Sequence, residues 1–542
     1  MGTGQLWPRP HAIPNRAAFS GEGRTEGPPP GARRRVTLDR ATCLRLVHAR
    51  RRGAARSREE AVEIRDETSG FPVFSDFGPD SVSGSTERHW TAEHPSDALS
   101  QRRLEIGQSA PGPDVRSGPF RTIGDVASVF TALRLCFRRL AKLRRLATDS
   151  RRVSSLPSCP VNPVFADLPT TVFETMSRLA RQYGAVNLGQ GFPDDPGPLD
   201  VRQRAAQAVV DGSNQYPPMM GLPELKQAVA DHYGRFGGLA IKAEDVMVTS
   251  GATEALAGAL LALIEPGDEV VLFQPMYDAY LPLVLRAGGV PRFVTLKPPH
   301  WQFSDEDLAR AFSSRTRVVL FNSPLNPSGT VFRREALERL AQFCIRHDAV
   351  ALCDEVWEHI VFDGREHVPM ASIPGMAERT VKLGSAGKIF GLTGWKVGFV
   401  VASPPLMRVL SKAHQFITFT TPPNLQTAVA YGLGKSDAYF AGMRDALQRS
   451  RDLLASGLAA RGFTVLPTEG TYFLNVDLAP LGVTDDVDFC ERLVADHGVA
   501  AVPVSAFYAE DSVRSVMRLC FAKSDTTLQA ALERLDGVAR RA

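Results

Sequence analysis

The chain has 542 residues, of which 44% are hydrophobic and 23% charged, a composition typical of globular proteins. Its formal net charge of +4 combines two unlike parts: residues 1–160 hold 27 basic and 17 acidic side chains, and the remainder holds 36 and 42. A slightly acidic body argues against nucleic-acid binding, and no apolar run reaches the length of a membrane-spanning helix.

The seven cysteines are scattered, with no CxxC pair and no cluster of cysteine with histidine, so the sequence indicates no metal site. An odd number of cysteines fits a reducing compartment better than a framework of disulfides. The first 20 residues lack the apolar core of a secretory signal. We therefore expect a soluble, cytoplasmic protein.

Residues 1–160 are rich in Gly, Pro, Ser and Arg, which predicts a basic, low-complexity and mostly disordered extension. One helical apolar stripe runs from Val126 to Leu143 with arginines beside it. It is either a helix for a membrane surface or a partner, or an accidental pattern without a role. Because the composition changes abruptly near Val161, a second hypothesis is that the natural chain begins there.

After Val161, short apolar runs alternate with helical patterns, which predicts an α/β fold. The expected sheet is mainly parallel and seven-stranded, and helices cover both faces. Its strands are predicted at Val246–Thr249, Glu269–Phe273, Pro291–Thr295, Thr316–Phe321, Val350–Cys353, Thr380–Leu383 and Val397–Val401. We expect residues 161–200 to form an arm that joins the small domain. Residues 201–434 would form the large domain, and 435–542 a smaller α+β domain.

The most informative stretch is residues 384–398, where Lys388 stands among small residues. Small neighbours let a planar ligand approach the backbone, and a lysine in a dry pocket becomes a nucleophilic amine able to form a Schiff base. Ser385 and Lys396, a hydroxyl and a second cation, suit a phosphate group. We interpret Lys388 as the anchor of pyridoxal 5′-phosphate.

Other polar motifs follow the predicted strands, where ligands of such sheets bind. Gly251, Ala252 and Thr253 open a helix and offer free N–H groups to a phosphate. Asp354 could pair with a protonated ring nitrogen, and Asn326 could donate to a ring oxygen. Tyr277, predicted to open a helix, could stack on a flat ring.

These motifs, in this order, resemble the class I/II aminotransferases of fold type I over about residues 161–540. The likeness is strongest to the branch of kynurenine, glutamine and methionine transaminases, with the succinyldiaminopimelate aminotransferases as near relatives. The motifs are SGAT (250–253), PMYDAY (275–280), NSPLNPSG (322–329), CDEVW (353–357) and SAGKIFGLTGWKVG (385–398). The resemblance implies amino transfer from an L-amino acid to a 2-oxo acid by a ping-pong mechanism.

The resemblance also implies a role for single residues. Lys388 would form the internal aldimine and move the substrate proton. Arg518 would bind the substrate carboxylate, and Gly191 and Asn326 would also contact the substrate. The cofactor would be bound by Gly251, Ala252, Thr253, Tyr277, Asn326, Asp354, Trp357, Ser385 and Lys396. Tyr216 would reach the cofactor phosphate of a second subunit, which implies a homodimer.

Trp357 departs from the family pattern, which has tyrosine after Asp-Glu-Val. An indole N–H donates but neither accepts nor carries a negative charge, so we expect an unusual titration of the bound cofactor. Two other functions stay open: β-elimination from cysteine conjugates at the same site, and a transcription regulator with an aminotransferase-like body. The substrate is also open, because Trp301, Phe192 and Met219 suit either an apolar pocket or core packing.

Overall fold

A computed structural model of the protein describes residues 161–166 and 168–540. The predicted basic extension and its apolar stripe lie outside these residues. The helices are α1 (Pro163–Ala166), α2 (Val172–Tyr183), α3 (Leu199–Asp211), α4 (Pro223–Gly237), α5 (Gly251–Leu263), α6 (Tyr280–Arg286), α7 (Asp305–Ala311), α8 (Arg334–Arg346), α9 (Ala386–Ile389), α10 (Pro404–Ile417), α11 (Pro423–Leu433), α12 (Asp437–Ala460), α13 (Asp486–His497) and α14 (Asp525–Arg534). The strands are β1 (Val186–Asn187), β2 (Val246–Thr249), β3 (Glu269–Gln274), β4 (Val290–Thr295), β5 (Thr316–Asn322), β6 (Val350–Asp354), β7 (Thr380–Ser385), β8 (Gly398–Ala402), β9 (Thr464–Val465), β10 (Phe473–Asp477), β11 (Val499–Ala500), β12 (Val502–Pro503) and β13 (Val516–Cys520).

Seven strands form the large sheet, in the order β2-β8-β7-β6-β5-β3-β4. The pairs from β7 through β4 are parallel, whereas β8 runs antiparallel to both of its neighbours. The predicted α/β class and the seven-stranded, mainly parallel sheet are therefore confirmed. The carboxyl ends of β2, β5, β6 and β7 lie at one edge of this sheet.

Helices bury both faces of the large sheet, as the almost uniformly apolar strands require. Along β3, Val270 and Leu272 pack into one apolar cluster, and Val271 and Phe273 pack into another. This alternation follows from the two-residue period of a strand. Trp301 is 1% exposed within the second cluster, so it serves core packing.

The helix ends follow local chemistry. Thr171 accepts a hydrogen bond from the Glu174 N–H at the start of α2, and Gly184 ends that helix in the left-handed conformation. Asp485 accepts two backbone hydrogen bonds at the start of α13. Such caps make these boundaries readable in the sequence.

One boundary prediction is wrong: α6 begins at Tyr280, so Tyr277 lies in the preceding turn and does not open the helix. The physical reason is that the Met276 N–H is bonded to the Phe507 carbonyl at 2.8 Å, which commits this segment to a loop. Tyr277 is thereby placed beyond the end of β3 and not on a helix face.

The strands outside the large sheet form two smaller sheets. Strands β12, β13, β10 and β9 make an antiparallel sheet, and β1 pairs in parallel with β11. This last pair brings the Val186 segment against the Val499 segment. The domain boundaries at residues 200 and 434 stay predictions.

Within the described ranges, every helix is too short or too polar to cross a bilayer.

A buried ionic network lies behind the carboxyl end of β6. Lys382, 1% exposed, donates to Glu355 at 2.6 Å and also bonds Glu358, and its ammonium lies 4.5 Å from the centre of the Tyr233 ring. His367 adds a contact to Glu355 at 3.1 Å. Glu355, Glu358 and His367 are metal-ligand types, but the Lys382 ammonium already bonds both carboxylates. A cation of the chain itself, the Lys382 ammonium, therefore balances one of the two carboxylate charges.

We expect Lys382→Met to lower the free energy of unfolding by about 3–5 kcal/mol, because it leaves two buried carboxylates without their cation. Urea unfolding at pH 7 would measure this loss. The exposed Lys242→Met is the matched control, with an expected change within about 0.5 kcal/mol. A loss of the same small size for both variants would contradict the prediction.

The network also predicts an acid-sensitive contribution to stability. Burial opposes the charge of Glu355, but Lys382 and His367 outweigh it and lower its pKa from 4.5 to about 2. A carboxylate with a lowered pKa stabilises the fold above pH 4.5, and that stabilisation is lost as the pH falls toward 2. Thermal unfolding across this window should show the loss in the wild type and a weaker loss in Lys382→Met.

Candidate active site

A cavity of about 250 Å³ opens at the carboxyl ends of β2, β5, β6 and β7. Most of its wall comes from the residues that directly follow these strands. It is lined by Gly251, Ala252, Thr253, Leu256, Tyr277, Tyr280, Asn322, Asn326, Asp354, Val356, Trp357, Ser385, Gly387, Lys388, Thr393 and Lys396. The fold thus brings ten of the predicted cofactor-binding residues to one place.

One end of the cavity is suited to an anion. Helix α5 begins at Gly251 directly after β2, so its first N–H groups face the cavity wall. Gly251 has φ +75°, and a Cβ there would lie 3.1 Å from the Lys396 Nζ. The positive φ favours glycine at this position, and its lack of a side chain leaves room for the lysine beside the helix terminus. The Ser385 side chain also belongs to this wall.

Lys388 lies on the short helix α9, and its backbone is fixed by the Tyr472 hydroxyl, which donates to the Lys388 carbonyl at 2.9 Å. Burial, opposed by Cys520 and Asp354 and aided by the charges of Arg518 and Lys396, lowers the pKa of Lys388 from 10.5 to about 8. A sizeable fraction of this amine is therefore neutral near physiological pH. It can act as a nucleophile or as a base.

Asp354 is fully enclosed at the end of β6. Burial raises the pKa of this carboxyl, while the Tyr280 hydroxyl, which donates to Oδ2 at 2.5 Å, lowers it. The pKa of Tyr280 is itself held well above 10 by burial and by Asp354, so the hydroxyl stays a donor. Tyr280 was not among the predicted site residues. Its only signal in the sequence is that it is the second tyrosine of the PMYDAY motif.

Asparagines connect Asp354 to the loop that follows β5. The Asn322 side-chain N–H₂ donates to the Asp354 backbone carbonyl at 2.7 Å, and its side-chain oxygen Oδ1 accepts from the Asn326 backbone N–H at 2.8 Å. The Asn326 side chain is oriented by Arg518, which donates to its Oδ1 at 2.9 Å. Because Arg518 fixes the amide oxygen, the amide N–H₂ of Asn326 remains available to the cavity.

Arg518 lies beside the cavity with 1% of its surface exposed. It donates to the Gly189 carbonyl at 2.9 Å, and its guanidinium lies 3.8 Å from the centre of the Phe473 ring. Burial lowers its pKa to about 9, so it keeps its charge at pH 7. Among residues 161–166 and 168–540 no carboxylate lies within ion-pair distance of Arg518, although the charge of Asp278 acts on it and opposes the lowering of its pKa. A buried cation without an acidic partner is suited to an anionic ligand.

Gly191 lies against the same aromatic ring. A Cβ at this position would overlap the Phe473 side chain, so the segment can pass close to Arg518 only with glycine there. Neither Gly191 nor Arg518 lines the cavity itself. Both approach it from one side, through residues of the small sheet and the arm.

Tyr216 is the predicted residue that the structure leaves apart. It is 83% exposed, and its ring lies 5.6 Å from that of Phe419 in a T-shaped contact. It contributes nothing to the cavity of its own chain.

Trp357 is 3% exposed and lies against the reactive lysine: the Lys388 Nζ is 4.6 Å from the centre of the indole ring. Tyr472 packs edge-on against the indole at 4.7 Å between ring centres. An aromatic face stabilises a protonated amine, and tryptophan does so best. The indole therefore favours the charged form of Lys388.

We expect Trp357→Tyr to move the pH midpoint of the cofactor's visible absorbance change to lower pH, by about one unit or less. A phenol has a weaker cation–π attraction for the amine and is a stronger donor to an anionic oxygen. A spectrophotometric pH titration measures the midpoint, with Trp301→Tyr as a control in the distant core. An unchanged midpoint in Trp357→Tyr would show that the indole does not affect this titration.

A mostly parallel sheet with a lysine cavity at its carboxyl edge and a small C-terminal sheet defines a fold type I enzyme. The profile of the family "Aminotransferase class I and II" matches residues 183–535. The methionine aminotransferase of Escherichia coli (strain K12) is 42% identical over 369 residues, which are 68% of this chain and 96% of that protein.

Two further comparisons agree. The human kynurenine–oxoglutarate transaminase 1 is 38% identical over 394 residues, covering 66% of this chain and 93% of that protein. The solved structure of N-succinyldiaminopimelate aminotransferase from Mycobacterium tuberculosis matches with a TM-score of 0.68 and 42% identity, over 71% of this chain and all of that one. The chain belongs to the class I and II aminotransferase family.

The predicted family and its branch are thereby confirmed, and the protein is a transaminase of amino acids. The two alternatives, β-elimination and transcription regulation, are not favoured by these relatives.

Proposed function

We propose that the cavity binds pyridoxal 5′-phosphate and that the enzyme transfers the amino group of an L-amino acid to a 2-oxo acid there. The observation that carries this proposal is the donor set on the cavity wall. A helix terminus with Lys396 suits a phosphate, an enclosed carboxylate suits a protonated ring nitrogen, and a lysine of lowered pKa lines the same cavity.

Each side chain then has a defined task. Gly251, Ala252, Thr253, Ser385 and Lys396 would hold the phosphate, and Tyr277 would contact the ring. Asp354 would accept a hydrogen bond from the ring nitrogen and keep a proton there, while the Asn326 amide would donate to the ring oxygen. When bound, the cofactor supplies an electron sink for negative charge that develops at the substrate α-carbon.

Lys388 would hold the cofactor and then move the substrate proton. A neutral amine takes a proton from the α-carbon and returns it as an ammonium group, which requires a pKa near the working pH. The pKa of about 8 meets this condition. The buried position also excludes water from the amine, so the proton stays within the site.

Arg518 would bind the substrate α-carboxylate. Its side chain is already oriented by Asn326 and Gly189, and within the described part of the chain no carboxylate lies at ion-pair distance from it. A planar guanidinium binds a carboxylate through two parallel hydrogen bonds. Every amino acid and every 2-oxo acid carries this group, so one residue would serve both half-reactions.

The exposed position of Tyr216 supports a homodimer in which this tyrosine reaches the cofactor phosphate of the second subunit. Phe416 is 85% exposed and Phe419 is 40% exposed close by, an apolar surface that a second copy would cover. Sedimentation analysis of the purified protein tests the dimer. A cytoplasmic location stays a prediction that rests on the odd number of cysteines.

The test of the proposed function combines chemistry with an assay. The purified protein is incubated with pyridoxal 5′-phosphate, reduced with borohydride and digested, and mass spectrometry should find a pyridoxyl group on Lys388. Methionine and kynurenine, the substrates in the names of relatives, are then assayed as donors with 2-oxoglutarate and pyruvate as acceptors. A tag on other lysines only, or no product from any pair, would overturn the proposal.

A further inference from the structure

A buried histidine joins three segments near the cavity without lining it. His414 of α10 is 1% exposed; its Nδ1 lies 3.1 Å from Glu254 Oε1, and its Nε2 lies 3.0 Å from the Met219 carbonyl oxygen. Met219 belongs to the Tyr216 loop, residues 212–222. Glu254 lies in the first turn of α5.

Both neighbours of the imidazole are hydrogen-bond acceptors. A carboxylate and a backbone carbonyl cannot donate, and a neutral imidazole has a single N–H. Only the imidazolium donates to both, so this geometry selects the protonated ring. Burial opposes that charge, but the hydrogen bond and charge of Glu254 outweigh it and raise the pKa of His414 above 6.5.

Two of these three segments, the first turn of α5 and the Tyr216 loop, carry proposed phosphate ligands. The second carboxylate oxygen of Glu254 accepts from the Ser250 N–H at 3.0 Å, which fixes the residue before Gly251. The Tyr216 loop is held against β2 by the Val248 N–H, which donates to the Met220 carbonyl at 3.0 Å. The His414 carbonyl accepts from the Phe419 N–H at 3.1 Å, and Phe419 packs on Tyr216.

We propose that the His414 imidazolium and Glu254 form a positioning pair that fixes two phosphate-binding segments: the first turn of α5, for the phosphate in this subunit's cavity, and the Tyr216 loop, for the phosphate in the second subunit's cavity. The inference rests on the proposed function, because it presumes that Gly251–Thr253 and Tyr216 contact a phosphate. Neither residue of the pair touches the cofactor. The pair acts on the placement of the two segments that do.

Few other charges act on this pair. Strands β2 and β8, which pack against α10, carry no titratable side chain, and α5 carries Glu254 alone. The 3-10 turn Ala243–Asp245 carries Glu244 and Asp245, and the Tyr216 loop carries Tyr216, none of which bonds His414. Arg408 and Lys412 lie on α10 itself. The proton of His414 therefore depends mainly on Glu254.

The experiment compares pyridoxal 5′-phosphate with pyridoxal, which lacks the phosphate, as ligands of the wild type and of two variants. His414→Asn keeps a donor near Glu254, and His414→Gln keeps a donor near Met219, so each loses one of the two hydrogen bonds. We expect either variant to bind pyridoxal 5′-phosphate at least about tenfold more weakly and to bind pyridoxal as the wild type does. His347→Gln on α8, which loses a hydrogen bond to the Ser313 carbonyl, is the matched control and should change neither constant.

A second measurement uses the wild type alone, so its result does not depend on whether a variant folds. Above pH 7 the phosphate of the ligand is fully charged, and Lys388 affects both ligands alike. The affinity for pyridoxal 5′-phosphate divided by the affinity for pyridoxal should therefore fall as the pH rises through the pKa of His414. A constant ratio, or variants that weaken both ligands equally, would overturn the positioning role. The proposed function fails separately, if the wild type takes no pyridoxyl tag on Lys388.

Discussion

Lys388→Ala is expected to lose amino transfer by about 10⁴-fold or more. A single positioned acid–base group contributes about 10²–10⁴-fold to such reactions, and this amine would also hold the cofactor. Steady-state assays at saturating pyridoxal 5′-phosphate measure the loss. The exposed Lys297→Ala is the matched control and should keep wild-type turnover. Added small amines should restore part of the activity of Lys388→Ala, since they can replace the missing base.

The same variant has a predicted effect on stability. Because burial lowers the pKa of Lys388 from 10.5 to about 8, the folded protein binds fewer protons than the unfolded chain between these pH values. The contribution of Lys388 to stability therefore rises with pH across this window. Cofactor-free wild type should therefore gain stability relative to Lys388→Ala from pH 8 to 10.5. Undiminished turnover without added amine, or parallel stability curves, would contradict the role assigned to this lysine.

Asp354→Asn is expected to lower turnover on the order of 10²–10³-fold, the loss typical when one preorganised electrostatic group is removed. The amide cannot keep a proton on the ring nitrogen by charge, so the electron sink weakens. The Tyr280 hydroxyl can still donate to the amide oxygen, which preserves the local packing. Steady-state kinetics of the variant, with the exposed Asp445→Asn as control, measure the effect.

Cofactor-free Asp354→Asn should be at least as stable as the wild type at pH 7. Burial raises the pKa of Asp354 in the folded state above 3.8, so its contribution to stability is present below that pH and lost as the pH rises through the raised pKa. The amide removes this loss because it carries no charge. Thermal unfolding near pH 7 checks the sign. A large destabilisation would show that the carboxylate serves the fold and not the ligand.

Much of the fold followed from local patterns. The α12 helix, Asp437–Ala460, and the α13 helix, Asp486–His497, were predictable to the residue because a capping side chain precedes the second and the periodicity of both is sustained. Helices α10 and α11 were not predicted. Both begin with prolines, which occur in turns as often as in the first turn of a helix.

The antiparallel direction of β8 could not be predicted either. A strand buried on both faces has the same apolar pattern whether it runs parallel or antiparallel to its neighbours, and only the connections decide its direction.

For the site, the motif residues that follow strands were predictable because parallel strands end at one edge of the sheet.

Residues that act through distant partners were not predictable. Tyr280 reads as a core tyrosine until the fold sets its hydroxyl beside Asp354, 74 positions away. His414 reads as an ordinary helix residue until Glu254, 160 positions away, lies against it.

The parallel pairing of β1 with β11 has a consequence for biosynthesis. The Gly189 carbonyl that orients Arg518 emerges from the ribosome 329 residues before the arginine does. During translation the large sheet can form while the arm still has no strand to pair with. The proposed carboxylate site at Arg518 would thus be completed last, and a nascent chain that stalls before residue 499 could hold the lysine cavity but would lack this arginine.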